Sequence, residues 1–191
     1  MIGFISYLVN GISLGSVYAL IALGYTMVYG IAKMLNFAHG DVIMIGAYVA
    51  FTAVSGMGMP PVVGVLLSVV ACTVLGVLIE RIAYKPLRKA SKLAVLITAI
   101  GVSYFLQNVA LLIYGANTKS FTSVVTIPAL KLMDGKLVIS GETIVTVVAC
   151  LIIMAGLMTF MKYSKSGRAM LAVSEDSGAA QLMGVNVNST I

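Results

Sequence analysis

Charge is the scarcest property of this chain. Of 191 residues, twelve are Lys or Arg and six are Asp or Glu, 9% in all, against 60% hydrophobic residues and a mean hydropathy of +1.08. Soluble domains carry about 25% charged and about 45–50% apolar residues, so a water-soluble globular enzyme is excluded. Disorder is excluded as well, because it requires low hydrophobicity and high charge. The two cysteines, Cys72 and Cys150, lie inside apolar runs, where a free thiol behaves as a small hydrophobe. No disulfide and no metal site are expected: zinc ligands come in close pairs, and the one histidine, His39, with Asp41 beside it supplies too few. The same shortage leaves a hydrolase without an activated nucleophile and base. Ser103, in Gly101-Val102-Ser103-Tyr104, lacks the glycine that follows the serine of a nucleophile elbow. No catalytic residue is expected. A phosphate-binding GxxxxGK[ST] loop is missing too, so no cofactor is expected on this chain and any ATPase is a different one.

The few charges divide the sequence into four charge-free runs, 1–32, 42–79, 93–118 and 143–161. A bilayer core requires about 20 apolar residues in a helix, so the fold class is all-α, a polytopic transmembrane helical bundle in a single domain over 1–191. About five hydrophobic helices are expected. The first covers Phe4 to Ile31; without a basic n-region, and too long for a signal-peptide core, it is expected to stay as a membrane helix. It carries Gly11, Gly15 and Ala19 at four-residue spacing, a stripe that lets another helix approach closely. The second run is broken by Gly56, Gly58, Pro60 and Pro61, which places a turn at 56–61 between helices 42–55 and 62–79. The former is short, a candidate half-helix. Further helices are expected over Leu93–Tyr114 and Glu142–Met161, separated by a polar loop, 115–141, in which Asp134-Gly135 between apolar strands signals a hairpin.

A net charge of +6 would raise nucleic acid as a partner of a soluble chain, but here the basic residues sit between apolar runs. Segments 33–41, 80–92 and 162–191 hold nine Lys or Arg, against Lys119, Lys131 and Lys136 in the loop. The positive-inside rule makes the nine-residue side cytoplasmic and the hairpin loop exterior. The bilayer is the partner expected, and nucleic acid is not.

Polar residues inside such runs are the candidates for function. Asn36-Phe37-Ala38-His39-Gly40-Asp41 lies between two apolar runs. An ionised Asp at the centre of a spanning helix costs about 2.5–3.5 kcal/mol, so Asp41 sits at an interface or faces a polar interior. Either 33–41 is a cytoplasmic turn with Asp41 favouring the N-terminal dipole of the next helix, or it is a broken or re-entrant segment lining a cavity. Thr98, Gly101, Ser103, Gln107 and Asn108 give the 93–114 helix a polar side, Gly101 and Ser103 as packing residues and the others for interhelical hydrogen bonds or for a pathway. An ion-coupled carrier or channel using Asp41 and His39 is the alternative function on these residues.

The C-terminal piece reads as two short helical stretches, 167–173 and 177–183, in a cytoplasmic segment 162–191. Ser174 is the expected N-cap, with Glu175 and Asp176 beside it at the favourable end of the dipole. Gly184 is the expected C′ residue with Val185 supplying an apolar contact. Met170, Leu171, Leu182 and Met183 are expected to be exposed, against lipid or against a soluble partner.

Asn36-Phe37-Ala38-His39-Gly40-Asp41, Gly46-Ala47-Tyr48, Glu80-Arg81 with Lys85-Pro86-Leu87-Arg88, Leu96-Ile97-Thr98-Ala99-Ile100-Gly101 and the segment Gly167–Val187 together resemble the permease subunits of bacterial branched-chain amino acid ABC importers. The likeness runs in order along nearly the whole chain. It implies a multi-pass protein of the bacterial inner membrane that pairs with a second, related permease. Two cytoplasmic ATPase subunits, which bind the ATP, power it, and a periplasmic amino-acid-binding protein delivers leucine, isoleucine or valine. It implies a broken helix at 36–41 beside the pathway. Taken with the polar side of the 93–114 helix, the candidate pathway residues are Asn36, Phe37, His39, Gly40, Asp41, Thr98, Gln107 and Asn108. It also implies an ATPase-coupling segment through Gly167, Arg168, Ser174, Glu175, Asp176, Ala179, Ala180, Leu182 and Gly184. The exterior loop 115–141 would help to dock the binding protein. Family members have further helices after the coupling segment, so this chain reads as an N-terminal portion. Gly178 stands where the family often has a better helix former, at a cost of about 1 kcal/mol.

Overall fold

The computed structural model describes residues 2–88, 90–121, 128–132 and 137–190. In chain order its elements are α1 (Ile2–Ala32), α2 (His39–Phe51), α3 (Pro61–Ile79), α4 (Lys92–Tyr114), β1 (Leu130–Leu132), β2 (Leu137–Ile139), α5 (Gly141–Tyr163), α6 (Lys165–Glu175), α7 (Ser177–Leu182) and α8 (Val187–Thr190). A π-helical turn, Thr52–Gly56, prolongs α2, and another, Glu80–Tyr84, prolongs α3. Among the described residues, four stretches are long and apolar enough to cross a membrane: Gly3–Ala32, Pro61–Leu87, Leu93–Tyr114 and Gly141–Tyr163. The protein is an all-α, multi-pass membrane protein. At about 1.5 Å per residue α2 is only about 20 Å long, so it is the short helix of the set. The chain forms two compact units, one of residues 1–33 and 125–191 and one of residues 34–124.

In the first unit α5 runs along α1, with the Cys150 thiol donating to the carbonyl of Ser16 at 3.4 Å. Val9 and Ile12 of α1 face Thr143, Ile144 and Val147 of α5 across a small apolar hollow. The face that α5 covers is therefore the Val9–Ile12–Ser16 stripe. The expected seat for a packed helix, Gly11, Gly15 and Ala19, is one step round the helix and exposed, and α5 leaves both glycines without a neighbour within 4 Å. Ser140 caps α5, its hydroxyl accepting from the Thr143 amide at 3.3 Å. The expected hairpin precedes it as β1 antiparallel to β2, Leu130 opposite Ile139 and Leu132 opposite Leu137. The Asp134-Gly135 dipeptide lies outside the described residues.

A sharp corner ends α5. Ser164 is extended (φ −79°, ψ 150°), and its hydroxyl accepts from the Gly167 amide at 2.8 Å, so α6 starts at once on a new axis. Its first turn folds against the end of α5 so closely that a Cβ on Gly167 would lie 2.4 Å from the Phe160 carbonyl oxygen and 2.6 Å from Met161 Cα. Only glycine fits that approach. Val173 of α6 and Ala180 of α7 are buried, 3% and 4% exposed, and close the corner's small core.

In the second unit α2 and α3 pack antiparallel at very short range, because small residues line their contact. A Cβ on Gly46 would meet Cys72 Sγ at 2.6 Å, and one on Gly64 would meet Val54 Cγ2 at the same distance. Ser68 Oγ donates to the Gly46 carbonyl at 2.8 Å, and the Cys72 thiol to that of Val42 at 3.4 Å. The turn between them contains Gly58 (φ +66°) and starts α3 with Pro61 at its first position. The third helix, α4, is capped by Ser91 and stops at Gly115 (φ +75°).

Gly167→Ala is expected to destabilise the protein by at least about 1–3 kcal/mol, since backbone atoms must move to admit the methyl group. Gly156→Ala, at a position of α5 with nothing within 4 Å, is expected to be neutral or slightly stabilising. Thermal unfolding of the two variants in detergent checks the contrast.

Candidate functional site

Two groups of residues singled out from the sequence are brought together, one in each unit. In the second unit the group is built on the turn before α2. The Asn36 side-chain oxygen accepts from the Ala38 amide at 3.1 Å and from the Tyr84 hydroxyl at 2.7 Å. The Asn36 carbonyl accepts from the His39 amide at 3.3 Å, and Ala38 is wholly buried. One asparagine thus folds the turn and ties it to the stretch holding Arg81, Lys85 and Arg88. That fixes the turn at the basic end of the unit, with Asp41 in the first turn of α2 beyond it. Within the basic stretch Arg88 pairs with Glu80.

Asp41 is buried, 8% exposed, and its Oδ1 accepts from Gln107 Nε2 at 3.0 Å. The same nitrogen donates to Ser103 Oγ at 3.1 Å, one turn back along α4. Two turns further on, Tyr48 of α2 stacks on Tyr114 of α4 with centroids 4.2 Å apart, and the Tyr114 and Thr52 hydroxyls are 3.1 Å apart. The steps Asp41 to Tyr48 and Gln107 to Tyr114 are equal, so the helices run parallel in constant register: a polar contact at the basic end, an aromatic one at the other.

Thr98 and Asn108 turn to their own helix instead, Thr98 Oγ1 donating to the Ala94 carbonyl at 2.9 Å and Asn108 Nδ2 to that of Tyr104 at 2.7 Å. Phe37 is exposed, Gly40 is exposed, and His39 is half-buried as the first residue of α2. Ser103, expected as a packing residue, takes a hydrogen bond in the group instead, and Tyr84 and the Tyr48–Tyr114 pair join it without being candidates from the sequence. The matched spacing is the one available sign of the aromatic pair.

In the first unit the C-terminal segment forms the other group. Helix α6 covers Gly167, Arg168, Ser174 and Glu175, and α7 covers Ala179, Ala180 and Leu182. The expected N-cap is corrected: Ser174 lies inside α6, donating to the Leu171 carbonyl at 2.7 Å, and Glu175 ends that helix. The cap of α7 is Asp176, whose Oδ1 accepts from the Gly178 and Ala179 amides at 2.8 and 3.1 Å. The carboxylate prevails because it neutralises two free donors and carries charge at the positive helix end. Gly178 belongs to this first turn, where a Cβ would crowd the capping oxygen at 3.3 Å. Gly184 (φ +84°) is the expected C′ residue, its amide donating to Gln181 and that of Val185 to Ala180, a full Schellman pair. Leu182 and Met183 are 91% and 85% exposed, and Leu171 is exposed. Met170 is half-buried, contrary to expectation, because it lies next to the inward face of α6.

The sequence matches the family described as branched-chain amino acid transport system / permease component over residues 7–191. It is 42% identical to the high-affinity branched-chain amino acid transport system permease protein BraD of Pseudomonas aeruginosa, over 98% of this chain and 64% of that protein. It is 39% identical, with the same coverage, to the corresponding protein LivH of Escherichia coli. A probable branched-chain amino acid transport permease protein of Methanocaldococcus jannaschii is 29% identical over 90% of this chain and 55% of its own. The chain therefore spans less than two thirds of the length of these relatives. No solved structure matches it.

A double-mutant cycle of Asp41→Ala with Gln107→Ala is expected to give a coupling of about 0.6 kcal/mol, the mean for interhelical hydrogen bonds in a bilayer, and no more than about 1.7 kcal/mol. Additive losses of stability would contradict the contact.

Proposed function

The chain belongs to the permease-component family of branched-chain amino acid transport systems, and from that premise we propose that it forms part of the membrane pathway of an ATP-driven importer of leucine, isoleucine or valine. On this reading a second related permease completes the pathway. Two cytoplasmic ATPases supply the work, and a binding protein delivers the substrate at the outer face of the bacterial inner membrane. No bond of the substrate is made or broken on this chain, and ATP binds to the partners.

The observation that carries the reading is the α6–α7 corner. It is a capped, closed element next to Lys162, Lys165 and Arg168 that holds two large apolar side chains, Leu182 and Met183, out of its own core. Such a surface suits a cleft in a soluble partner, helix in groove. The corner also rests directly on the end of the membrane helix. Because Gly167 seats α6 directly on the α5 backbone, a displacement of the corner is carried into α5 rather than lost in a loop. ATP can drive the pathway between inward and outward access only through contacts that differ between the two states, and this surface is placed to make them. In the other unit, the Asn36 turn and the Asp41–Gln107–Ser103 group supply the polar wall of the pathway.

Ala179→Arg combined with Leu182→Asp is expected to abolish ATP-dependent leucine uptake by the assembled transporter while leaving its thermal unfolding unchanged, since both side chains are exposed. Ala180 is unsuitable for this test because it is buried. Unchanged uptake would overturn the coupling role.

A further inference from the structure

The second unit holds a cavity that none of the pathway residues above accounts for. It has a volume of about 500 Å³ and lies between the far end of α2 and the chain that leaves α4 at Gly115. Its size falls in the range of small-molecule sites. Met44, Tyr48, Phe51 and Phe121 form its apolar part, and Asn117 and Lys119 its polar part. The wall is ordered by ring contacts: Tyr48 stacks on Tyr114, and Phe51 meets Phe121 at 6.1 Å between centroids.

Its position is informative. Tyr84, bonded to Asn36, marks the basic end of the unit, and the cavity opens two turns of α2 beyond Asp41, towards the opposite end. By the positive-inside rule that end faces the exterior.

We infer that this cavity is an outer binding site for an amino acid with an apolar side chain, occupied before the substrate moves inward along the α2–α4 seam. The inference rests on the importer reading and adds a place and a chemistry to it. Each part of such a molecule finds a partner on the wall. The Lys119 ammonium complements the carboxylate, since a hydrogen bond between charged groups is the strong kind. Aromatic faces accept an ammonium group and exclude water from an aliphatic chain. The Asn117 amide can bond either pole. An anionic side chain would leave its charge against Met44 and the faces of the rings, so the site discriminates by side chain as well as by its zwitterionic end.

The test uses the full-length permease in lipid nanodiscs with Ala116→Cys, a cysteine placed in the cavity lining at a residue with no part in holding the amino acid and labelled by a maleimide. Met57→Cys, exposed in the turn after α2 and outside the cavity lining, is the control for general accessibility. L-Leucine is expected to slow labelling at 116 and not at 57. Leucinamide, which lacks the carboxylate, and L-glutamate, whose side chain is anionic, are expected to have no such effect. Adding Lys119→Ala should raise the leucine concentration for half-protection about tenfold or more, the scale of one hydrogen bond to a charged group, whereas Lys119→Arg restores it. Absence of protection, or equal protection by leucinamide or in Lys119→Ala, would overturn the site. Leucine uptake by the assembled wild-type transporter is measured in parallel. Uptake without protection removes the cavity site and leaves the importer reading intact, while protection without ATP-dependent uptake supports the site and removes that reading.

Discussion

Where one helix stops and the next begins, backbone amides and carbonyls are left over that must find partners outside the helical ladder. The turn that leads into α2 is closed by one side chain ahead of the helix, since no side chain caps the first amides of α2 itself. Asn36 Oδ1 accepts from the Ala38 amide and from Tyr84, so the turn is closed on itself and anchored to the segment after α3. From that anchor α2 can begin with a carboxylate, Asp41, in its first turn and meet Gln107 on α4. Without it the turn before α2 would lose its tie to the segment after α3.

Close packing of small residues does the rest. Hydrophobicity cannot hold helices together in lipid, whose tails are as apolar as leucine. The contacts that hold α2 on α3 instead bring backbone near backbone at Gly46 and Gly64, near enough for Ser68 and Cys72 to reach carbonyls of the facing helix. Gly167 applies the same device outside the spans, where α6 must rest on the end of α5. Of the conspicuous glycines of α1, by contrast, Gly11 and Gly15 are left uncovered by α5, which shows that spacing alone does not say which small residues a neighbour will use.

Much of this architecture is legible in the sequence. Runs without charge mark the four spans because a charge inside them is expensive, and Pro60-Pro61 marks the turn because proline cannot continue a helix. The cap of α7 lies two residues beyond its expected place for an understandable reason. Ser174 and Asp176 both suit a helix start, and the choice is made by the length of α6, which depends on Val173 being buried in the corner. Asn36 with Tyr84 and Asp41 with Gln107 cannot be paired from the sequence at all. Forty-eight and sixty-six positions separate them, and only the packing of α2 between its neighbours brings them together.

The dependence of α2 on Asn36 can be measured directly. Hydrogen–deuterium exchange of the full-length permease in nanodiscs would follow the amides of residues 37–42 in the wild type, in Asn36→Ala and in Tyr84→Phe. Exchange in this stretch is expected to rise sharply in Asn36→Ala, which loses both bonds, and less in Tyr84→Phe, which loses one, with α5 unchanged in both. Equal protection of residues 37–42 in the wild type and Asn36→Ala would contradict that dependence.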